Sequence, residues 1–406
     1  MILKIAWRNI WRNKRRTVLT AASIFFAVFF AVSINSLNRG IFDKMIGDTL
    51  SFYLGFAQVH QEGYWEERSL DKSFTLTDDL KTQLESTKGI DGLVPRLESF
   101  ALASFGKITK SSMVVGVSPT EEDRLTGLAE RVQSGEYLKE DDEAVLISAG
   151  LADKLKINVN DTIVLISQGY HGVNAAGKYT VKGIVQFGSP ELNSTMIYMP
   201  LKTAQWFYGA DQLVNSVVLD IDNKRATETA LAALATELDT VAYELMDWKA
   251  MMPELMEMKS LKESSNFISI MILYLIVSFG IFGTILMMTK ERMYEFGVLL
   301  SIGMKRSQLA LAVWLETLML GLLGALVGVV LSYGLMYYLM INPIEVTDPN
   351  MVETYAKFGI EPLLPASVDG DLFYVQAAVV LLITTFLALY PCWKIWRMKP
   401  VESMRV

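Results

Sequence analysis

Four stretches of the chain almost completely lack charged side chains, and each is long enough to form a helix that crosses a lipid bilayer. A membrane-spanning helix needs about 20 mostly apolar residues. The stretches are residues 18–34, 267–289, 309–341 and 372–390. Only the third contains a charged side chain, Glu316. Helices buried in a soluble core rarely exceed about 18 residues without a charge, so the sequence predicts four transmembrane helices and excludes a wholly soluble enzyme.

The segments that join these stretches differ in charge. Residues 1–16, 290–308 and 392–406 together carry a net charge of +11. The other connecting segments together carry −17, in a chain whose net charge is −7. Because lysine and arginine are enriched on the cytoplasmic side of membrane proteins, we expect both termini and residues 290–308 to be cytoplasmic. Residues 39–262 and 342–371 are then expected on the opposite side.

The sequence divides on this basis into alternating membrane and water-exposed segments. In chain order they are a cytoplasmic amphipathic helix (1–16), the first transmembrane helix (17–38), an external α+β domain of two subdomains (39–262), the second transmembrane helix with its external stalk (263–289), a cytoplasmic link (290–308), the third transmembrane helix (309–341), an external loop (342–371), the fourth transmembrane helix (372–391) and a cytoplasmic tail (392–406). The predicted fold class is therefore an α-helical membrane protein with a large extracytoplasmic α+β domain.

The N-terminal segment is patterned as a helix that lies at a membrane surface. Its apolar side chains recur at helical spacing and its basic side chains face another side: Leu3, Ala6, Trp7, Ile10 and Trp11 against Lys4, Arg8, Arg12 and Arg15. Ala31-Val32-Ser33 resembles a signal-peptide cleavage site. The long, patterned flank before it nevertheless favours a retained transmembrane helix.

Residues 39–262 are too many for a loop and alternate between strand-like and helix-like runs. The predicted strands are 112–117, 143–148, 162–167, 178–187, 196–199 and 214–221. The predicted helices are 148–156, 201–208, 225–238 and a final amphipathic run, 243–266, that leads into the second transmembrane stretch. Such an alternation without a glycine-rich phosphate loop is typical of an α+β domain.

No catalytic or metal site stands out. His60 and His171 are isolated from any nucleophile motif, and Cys392 is the only cysteine. The acidic run 141–143 lacks the ligand spacing of a calcium loop and is interpreted as a solvated turn. The phosphate-binding motif of P-loop ATPases does not occur in the sequence, so we expect that this chain is not itself an ATPase. We also expect no cofactor, no metal and no nucleic acid to be bound by this chain.

Three features of the membrane half carry more information than hydropathy. The link contains a short helix-compatible run, 296–302, which suits either a docking element for a partner or a plain interfacial connector. Gly321, Gly324 and Gly328 allow close helix approach, either within the chain or in a dimer. Glu316 lies near the cytoplasmic end of its helix, so we expect it to pair with a neighbouring basic residue or cap the link rather than to relay protons.

The order of these segments resembles the FtsX/MacB-type (type VII) permeases of ABC transporters. Four motifs carry the resemblance: AWRNIWRNKRR at 6–16, ERMYEFGVLLSIG at 291–303, Glu316 followed by the small residues of 320–328, and YPCW at 390–393 followed by KPVESMR at 399–405. Within the family, the resemblance is closest to the lipoprotein-releasing (Lol) permeases, through Asp247-Trp248, Gly135-Glu136-Tyr137 and residues 143–161. Asn160 and the long loop 342–371 depart from the Lol pattern.

The resemblance implies a coupling helix that docks on a separate ABC ATPase dimer, which holds ATP and Mg²⁺. The implied coupling residues are Arg292, Glu295, Phe296, Gly297, Val298, Leu300, Ile302, Gly303 and Met304. A second permease copy or a paralogue would complete the complex. Gly321, Gly324 and Gly328 match the family's helix-packing positions, and ATP-driven motion would reach the external domain through the stalk.

A Lol-type permease is expected to extract lipoproteins from the outer leaflet of the bacterial inner membrane and pass them to a periplasmic carrier. Their acyl chains would enter a cavity between the first two transmembrane helices, which the resemblance places at Phe26, Phe30, Asn35, Phe267, Ile270 and Tyr274. Two alternatives remain open. One is a MacB-like efflux permease that works with a periplasmic adaptor on peptides, toxins or drugs, and the other is an FtsX-like mechanotransmitter that activates a cell-wall hydrolase.

Overall fold

The computed structural model describes residues 2–12, 14–221, 224–357 and 361–399. The chain forms two compact units. The helical unit comprises Met1–Asp43, Met258–Glu345 and Leu363–Val406, and the sheet unit comprises Lys44–Glu257 and Val346–Pro362. Most of the predicted external loop 342–371 thus belongs to the sheet unit, and the ends of that loop belong to the helical unit.

The described residues form the following elements. The helices are α1 Ile2–Arg12, α2 Lys14–Thr49, α3 Tyr64–Glu67, α4 Asp78–Ser86, α5 Pro119–Thr126, α6 Ala149–Leu155, α7 Pro190–Thr195, α8 Leu201–Tyr208, α9 Lys224–Glu237, α10 Trp248–Met251, α11 Pro253–Glu291, α12 Met293–Ser301, α13 Arg306–Ile341, α14 Pro349–Lys357, α15 Gly370–Leu387 and α16 Leu389–Arg397. The strands are β1 Ala57–Gln61, β2 Phe74–Thr75, β3 Gly92–Phe105, β4 Ile108–Val117, β5 Val132–Gly135, β6 Ala144–Ser148, β7 Thr162–Gln168, β8 Asn174–Val185, β9 Met196–Pro200, β10 Leu213–Val214, β11 Ser216–Asp220, β12 Tyr243–Asp247, β13 Ile344–Glu345 and β14 Leu363–Leu364.

Four spans of the described residues are helical and apolar enough to cross a membrane: Thr17–Leu54, Pro253–Glu291, Arg306–Ile341 and Gly370–Arg397. Each of the four predicted apolar stretches lies inside one of them, which confirms their helical conformation and their length. In the helical unit these helices pack mostly through small and branched side chains, which allow close helix contacts of the kind common among membrane helices. The shared core is formed by Ile24, Ala27, Val28, Val32, Ile281, Ile285, Ala325, Met336, Phe373 and Val380.

A mixed ten-stranded sheet organises the sheet unit, in the order β12-β1-β11-β3-β4-β9-β6-β8-β5, with β7 paired to both β3 and β8. Most pairs are antiparallel, but β4–β9 and β6–β8 are parallel. One hydrophobic core lies where α6 and α8 cover the sheet and contains Leu165, Ile197 and Tyr208. Another surrounds β1, β11 and α9 and contains Val59 and Leu234. One sheet therefore connects these two cores with a third that lies on β4, β6 and β9.

The predicted strands and helices of the external domain are found near their predicted positions, with one exception. Residues 243–247 were expected to begin a long helix, but they form the edge strand β12, which pairs antiparallel with β1. The helical conformation begins only after Asp247, whose carboxylate accepts a hydrogen bond from the backbone N–H of Ala250 at 2.8 Å. A second start follows at Pro253, the first residue of α11. The prediction for 243–247 was therefore wrong.

His60, one of the two isolated histidines, is fully buried on β1. Its Nε2 lies 2.8 Å from Oε1 of Gln58, and its ring lies beside those of Tyr64 and Trp65. A carboxylate oxygen of Glu244 lies 3.8 Å from Nδ1 of His60, but this carboxylate already accepts hydrogen bonds from two backbone N–H groups. Burial, assisted by the positive charge of Arg68, lowers the pKa of His60 to about 3, so the ring is neutral in the folded protein.

This burial predicts a pH dependence of folding. The ordinary histidine pKa is about 6.5, so the unfolded chain binds a proton at His60 between about pH 3 and pH 6.5 and the folded chain does not. The contribution of His60 to the free energy of unfolding should therefore be fully present above pH 6.5 and fall by about 1.4 kcal/mol per pH unit between pH 6.5 and about pH 3. Denaturant unfolding of the detergent-solubilised chain at a series of pH values measures this slope.

His60→Gln should reduce the slope, while His171→Gln, which changes an exposed histidine, should retain it because His60 is still present. An unchanged slope in the His60 variant would show that other groups account for the loss of stability.

Candidate functional site

The link between α11 and α13 folds as a short helix, α12, with a break on each side. Arg292 leaves the helical conformation (φ −101°, ψ 3°) and so separates α12 from α11. At the other end, Gly303 adopts φ +101°, a conformation that favours glycine. The backbone N–H of Met304 then donates to the carbonyl of Leu299 at 3.1 Å, which satisfies a carbonyl at the helix end. The glycine of the predicted motif thus sets the end of the link helix.

One face of α12 is fixed to the helical unit. Phe296 is almost completely buried and packs with Leu309, Val313 and Ile395. Gly297 is also buried, and Met293, Leu300 and Met304 pack partly against the same cluster. This face anchors the helix and leaves little of Phe296 or Gly297 open to a partner in this conformation.

The opposite face of α12 is apolar and open. Tyr294, Leu299 and Ile302 are exposed, with Ile302 at 79% of its full accessibility, and Val298 is half-buried. We call these four residues the exposed strip.

Of the nine predicted coupling residues, Ile302 and Gly303 are open to solvent, whereas Arg292, Phe296 and Gly297 are buried. The sequence analysis missed Tyr294 and Leu299. Residues 294, 298 and 302 are four apart and lie on the open face, whereas residues 296, 300 and 304 are four apart and lie on the anchored face, so this spacing could have identified Tyr294.

A buried ion pair fixes the start of the link. Nη1 of Arg292 lies 2.6 and 2.8 Å from the two carboxylate oxygens of Glu316, and both side chains are at least 94% buried. The side-chain amide of Asn9 also donates to Glu316, at 3.3 Å. The expectation that Glu316 pairs with a neighbouring basic residue is confirmed. Because an isolated carboxylate is costly in an apolar environment, this pair ties the link to α13.

A second ion pair joins the N-terminal helix to the link. A carboxylate oxygen of Glu295 lies 2.5 Å from Nη2 of Arg12 and 3.3 Å from Nε of Arg292. Partial burial raises the pKa of Glu295, but the hydrogen bond from Arg12 and the charge of Arg292 outweigh it and lower that pKa. With Asn9 bound to Glu316, α1 therefore contacts both α12 and α13.

The end of α16 closes the same region. The guanidinium of Arg306, at the start of α13, donates to the carbonyls of Trp396 at 2.5 Å and Met398 at 3.0 Å. These bonds satisfy carbonyls at the helix end that have no partner within the helix. Of the terminal motif 399–405, only Lys399 falls within the described residues.

The small-residue stripe of α13 lies against two helices of the same chain. A Cβ atom on Gly324 would lie 2.7 Å from the carbonyl oxygen of Ala21, and one on Gly328 would lie 2.9 Å from Cβ of Val28, both on α2. A Cβ on Gly321 would instead approach Thr384 of α15 at 3.2 Å. The stripe thus brings three helices of one chain into close contact.

Gly324→Ala should force α13 and α2 apart. A methyl group at 2.7 Å from backbone oxygen cannot be accommodated without a shift, and overpacking of this kind costs about 1–3 kcal/mol. Gly334→Ala on the same helix is the matched control, because its Cβ would have no neighbour within 4 Å. We expect a lower thermal unfolding midpoint in detergent for the first variant only. Equal midpoints for both variants would contradict close packing at Gly324.

The six predicted cargo-cavity residues fall into two groups. Phe26 and Phe30 are about half exposed on α2, their rings stacked with centroids 5.8 Å apart, and Phe267 is exposed on α11. Ile270 is buried, and the hydroxyl of Tyr274 donates to the side chain of Gln376 on α15. Phe26, Phe30 and Phe267 thus offer open apolar surface, while Ile270 and Tyr274 contribute to packing.

Asn35, the sixth residue, takes part in an amide clasp between α2 and α11. Its side-chain oxygen accepts from the amide of Asn266 at 2.7 Å, and the oxygen of Asn266 accepts from Asn38 at 3.0 Å. Hydrogen bonds of this kind join helices in an apolar environment. The clasp therefore holds together the two helices on which the open aromatic side chains lie.

Comparison with known proteins identifies the family. Residues 17–237 match the MacB-like periplasmic core domain, and residues 267–400 match the FtsX-like permease C-terminal domain. The first match alone spans more than half of the 406 residues. The chain belongs to the FtsX/MacB-type permeases of ABC transporters. The family inferred from the sequence motifs is thus confirmed.

Two relatives of this permease illustrate its similarity to named proteins. The lipoprotein-releasing system transmembrane protein LolC of Neisseria meningitidis is 22% identical over 96% of this chain and 94% of its own length. The macrolide export ATP-binding/permease protein MacB of Hyphomonas neptunium is 23% identical over 82% of this chain but only 53% of its own length. Among solved structures, the periplasmic region of MacB from Actinobacillus actinomycetemcomitans aligns with a TM-score of 0.36 at 15% identity, covering 52% of this chain and 97% of that one.

Proposed function

We propose that this permease releases lipoproteins from the outer leaflet of the bacterial inner membrane and is driven by a separate ABC ATPase. The observation that supports this most is coverage: the chain matches LolC of Neisseria meningitidis over 94% of that protein's length. A MacB relative named as an ATP-binding/permease protein is matched over only 53% of its length. Lysine and arginine bias supports cytoplasmic termini and a periplasmic sheet unit.

The exposed strip of α12 is the proposed docking site for the ATPase. Apolar side chains that stay exposed on an anchored helix are suited to insertion into a groove of a partner. The partner would be an ATPase dimer holding ATP and Mg²⁺, and it would meet this permease together with a second copy or a paralogue. The two ion pairs of Arg292 and Glu295 would transmit a displacement of α12 to α13 and α1.

Ile302→Glu should abolish docking. Burying a carboxylate in an apolar contact removes the contribution of an interface anchor, which corresponds to at least about 30-fold weaker binding. Ser307→Glu is the matched control, because it adds the same charge to an exposed position of the same link. Copurification and binding of the cognate ATPase measure the effect.

The proposed docking site would be wrong if the ATPase bound the Ile302 variant normally. Equal losses in both variants would point to a general effect of negative charge on the link rather than to the exposed strip.

The open aromatic side chains of α2 and α11 form the proposed acyl-chain wall, defined as Phe26, Phe30 and Phe267. Extraction must offset about 0.8 kcal/mol for each CH₂ group withdrawn from the bilayer. The extraction of three acyl chains therefore costs tens of kcal/mol. An apolar wall that receives the chains offsets part of this cost. The remainder would come from ATP hydrolysed by the partner.

A photo-reactive phenylalanine analogue at Phe30 should cross-link to triacylated lipoprotein in native membranes. The control places the same analogue at Leu382, an apolar position on α15 that is more exposed than Phe30. We expect the lipoprotein adduct at position 30 and only lipid adducts at position 382, as read by mass spectrometry. The absence of lipoprotein at position 30, or equal labelling at both positions, would count against the proposed cargo.

A second candidate function is efflux of peptides, toxins or drugs with a periplasmic adaptor. The match of residues 17–237 to the MacB-like periplasmic core domain favours it. A complex that copurifies with an adaptor, and whose position 30 never labels lipoprotein, would support efflux instead.

A further inference from the structure

The first long helix ends in an unusual turn inside the sheet unit. After Thr49 the chain continues as a π-helical turn, Leu50–Leu54, which stops at Gly55. Gly55 has φ +65°, and a Cβ there would lie 2.5 Å from Cγ1 of Val218, so the stop requires glycine. Single π-helical turns are rare and occur frequently at functional sites.

A fully buried arginine on β3 binds this turn. Nη1 of Arg96 donates to the backbone carbonyl of Tyr53 at 2.6 Å. Its Nε and Nη2 donate to the two carboxylate oxygens of Glu122, each at 2.8 Å, and Glu122 lies on α5. The hydroxyl of Tyr53 donates to the carboxylate of Glu98, which lies two residues after Arg96 on the same strand face. One guanidinium thus connects the sheet, α5 and the last turn of the helix.

Side chains on either side of Tyr53 hold the same turn. The ring of Phe52 lies 6.2 Å from that of Phe187, and the guanidinium of Arg131 lies 3.9 Å from its centroid. Ile46, Leu50 and Leu54 pack with Trp248, Met251 and Met252. The turn is therefore held by apolar packing as well as by charged hydrogen bonds.

The two kinds of contact resist different displacements. Apolar packing is non-directional, so a helix can rotate or slide by a fraction of a turn and repack. A bidentate guanidinium pair with a third bond to a backbone carbonyl has a fixed geometry, and its loss leaves a buried carboxylate without its cation. A buried ion pair adds little net stability compared with apolar side chains of the same volume, so its effect here lies in orientation.

We propose that Arg96 is a positioning residue that locks the π-helical turn of the first helix to the sheet, so that a displacement of the helix moves the sheet with it. The proposal rests on the proposed function, because it assigns a step in the ATP-driven release of lipoprotein. This contact would pass a displacement of α2 to the sheet, and Tyr53 is the residue through which Arg96 acts.

The direct test follows the distance between the turn and the sheet. Spin labels are placed at Ser51 of the turn and Lys110 of β4, both exposed, in a chain whose only cysteine has been removed by Cys392→Ser. In the complex with its ATPase, the distance distribution should be the same without nucleotide and with trapped Mg-ATP. Arg96→Lys keeps the charge but loses the bidentate geometry, and its distribution should shift or broaden with nucleotide.

The functional readout is lipoprotein released per ATP hydrolysed. Arg96→Lys should keep the ATPase rate and lower this ratio, because a turn that slips against the sheet passes on less of each displacement. Tyr53→Phe leaves the Arg96–Glu122 pair intact and should lower the ratio less, which keeps the proposal testable if the lysine variant does not fold. Arg124→Lys is the matched control, since Arg124 lies on the same helix as Glu122 but is half exposed.

The outcomes separate the two proposals. A label distance that changes with nucleotide in the unaltered complex would overturn the locking role, as would folded Arg96 and Tyr53 variants with an unchanged release ratio. A proportional fall of ATPase rate and release would indicate a merely structural role and also overturn it. A further outcome is that the unaltered complex releases no lipoprotein and still keeps the same label distance with and without nucleotide, while the distance in Arg96→Lys changes. In that case the proposed function would fail and the positioning role would hold.

Discussion

The buried pair of Arg292 and Glu316 constrains the part of the helical unit that surrounds the link. A carboxylate at the first turns of an apolar helix must be neutralised, and removing its cation typically costs about 3–5 kcal/mol. The cation is Arg292, the residue that separates α11 from α12. The break between these helices and the neutralisation of Glu316 therefore depend on the same residue. Asn9 binds the same carboxylate, which couples the position of α1 to that of the link. The link helix is thus held in one orientation with its apolar strip outward.

The long helices could be predicted from the sequence because twenty apolar residues have few alternatives in a chain of this kind. The strands bounded by glycine, proline and aspartate were also predictable. β3 was not, since its run contains Pro95, Arg96 and Glu98, which are atypical of a strand interior. Its polar residues pair with partners distant in sequence, Glu122 and Tyr53, and no local pattern reports such contacts. β12 was mistaken for helix because its conformation depends on pairing with β1.

The same distinction applies to the candidate site. The motif around α12 identified the link, and the pairing of Glu316 followed from the cost of an unpaired acid in a membrane helix. The division of α12 into an anchored and an open face could not be seen without Ile395, which lies almost a hundred residues away and covers Phe296. Gly324 and Gly328 predicted close packing, but only the fold shows that α2 of the same chain fills the space.

The first and last strands of the main segment of the sheet unit pair in one ladder, where Ala57 at the start of β1 lies opposite Asp247 at the end of β12. A chain segment whose entry and exit strands lie side by side can be replaced by another segment with the same end spacing, as in domain insertions. A replacement here would in addition have to accept residues 346–362, which belong to the same unit. Exchange of the sheet unit for another domain would therefore have to change the loop 342–371 as well.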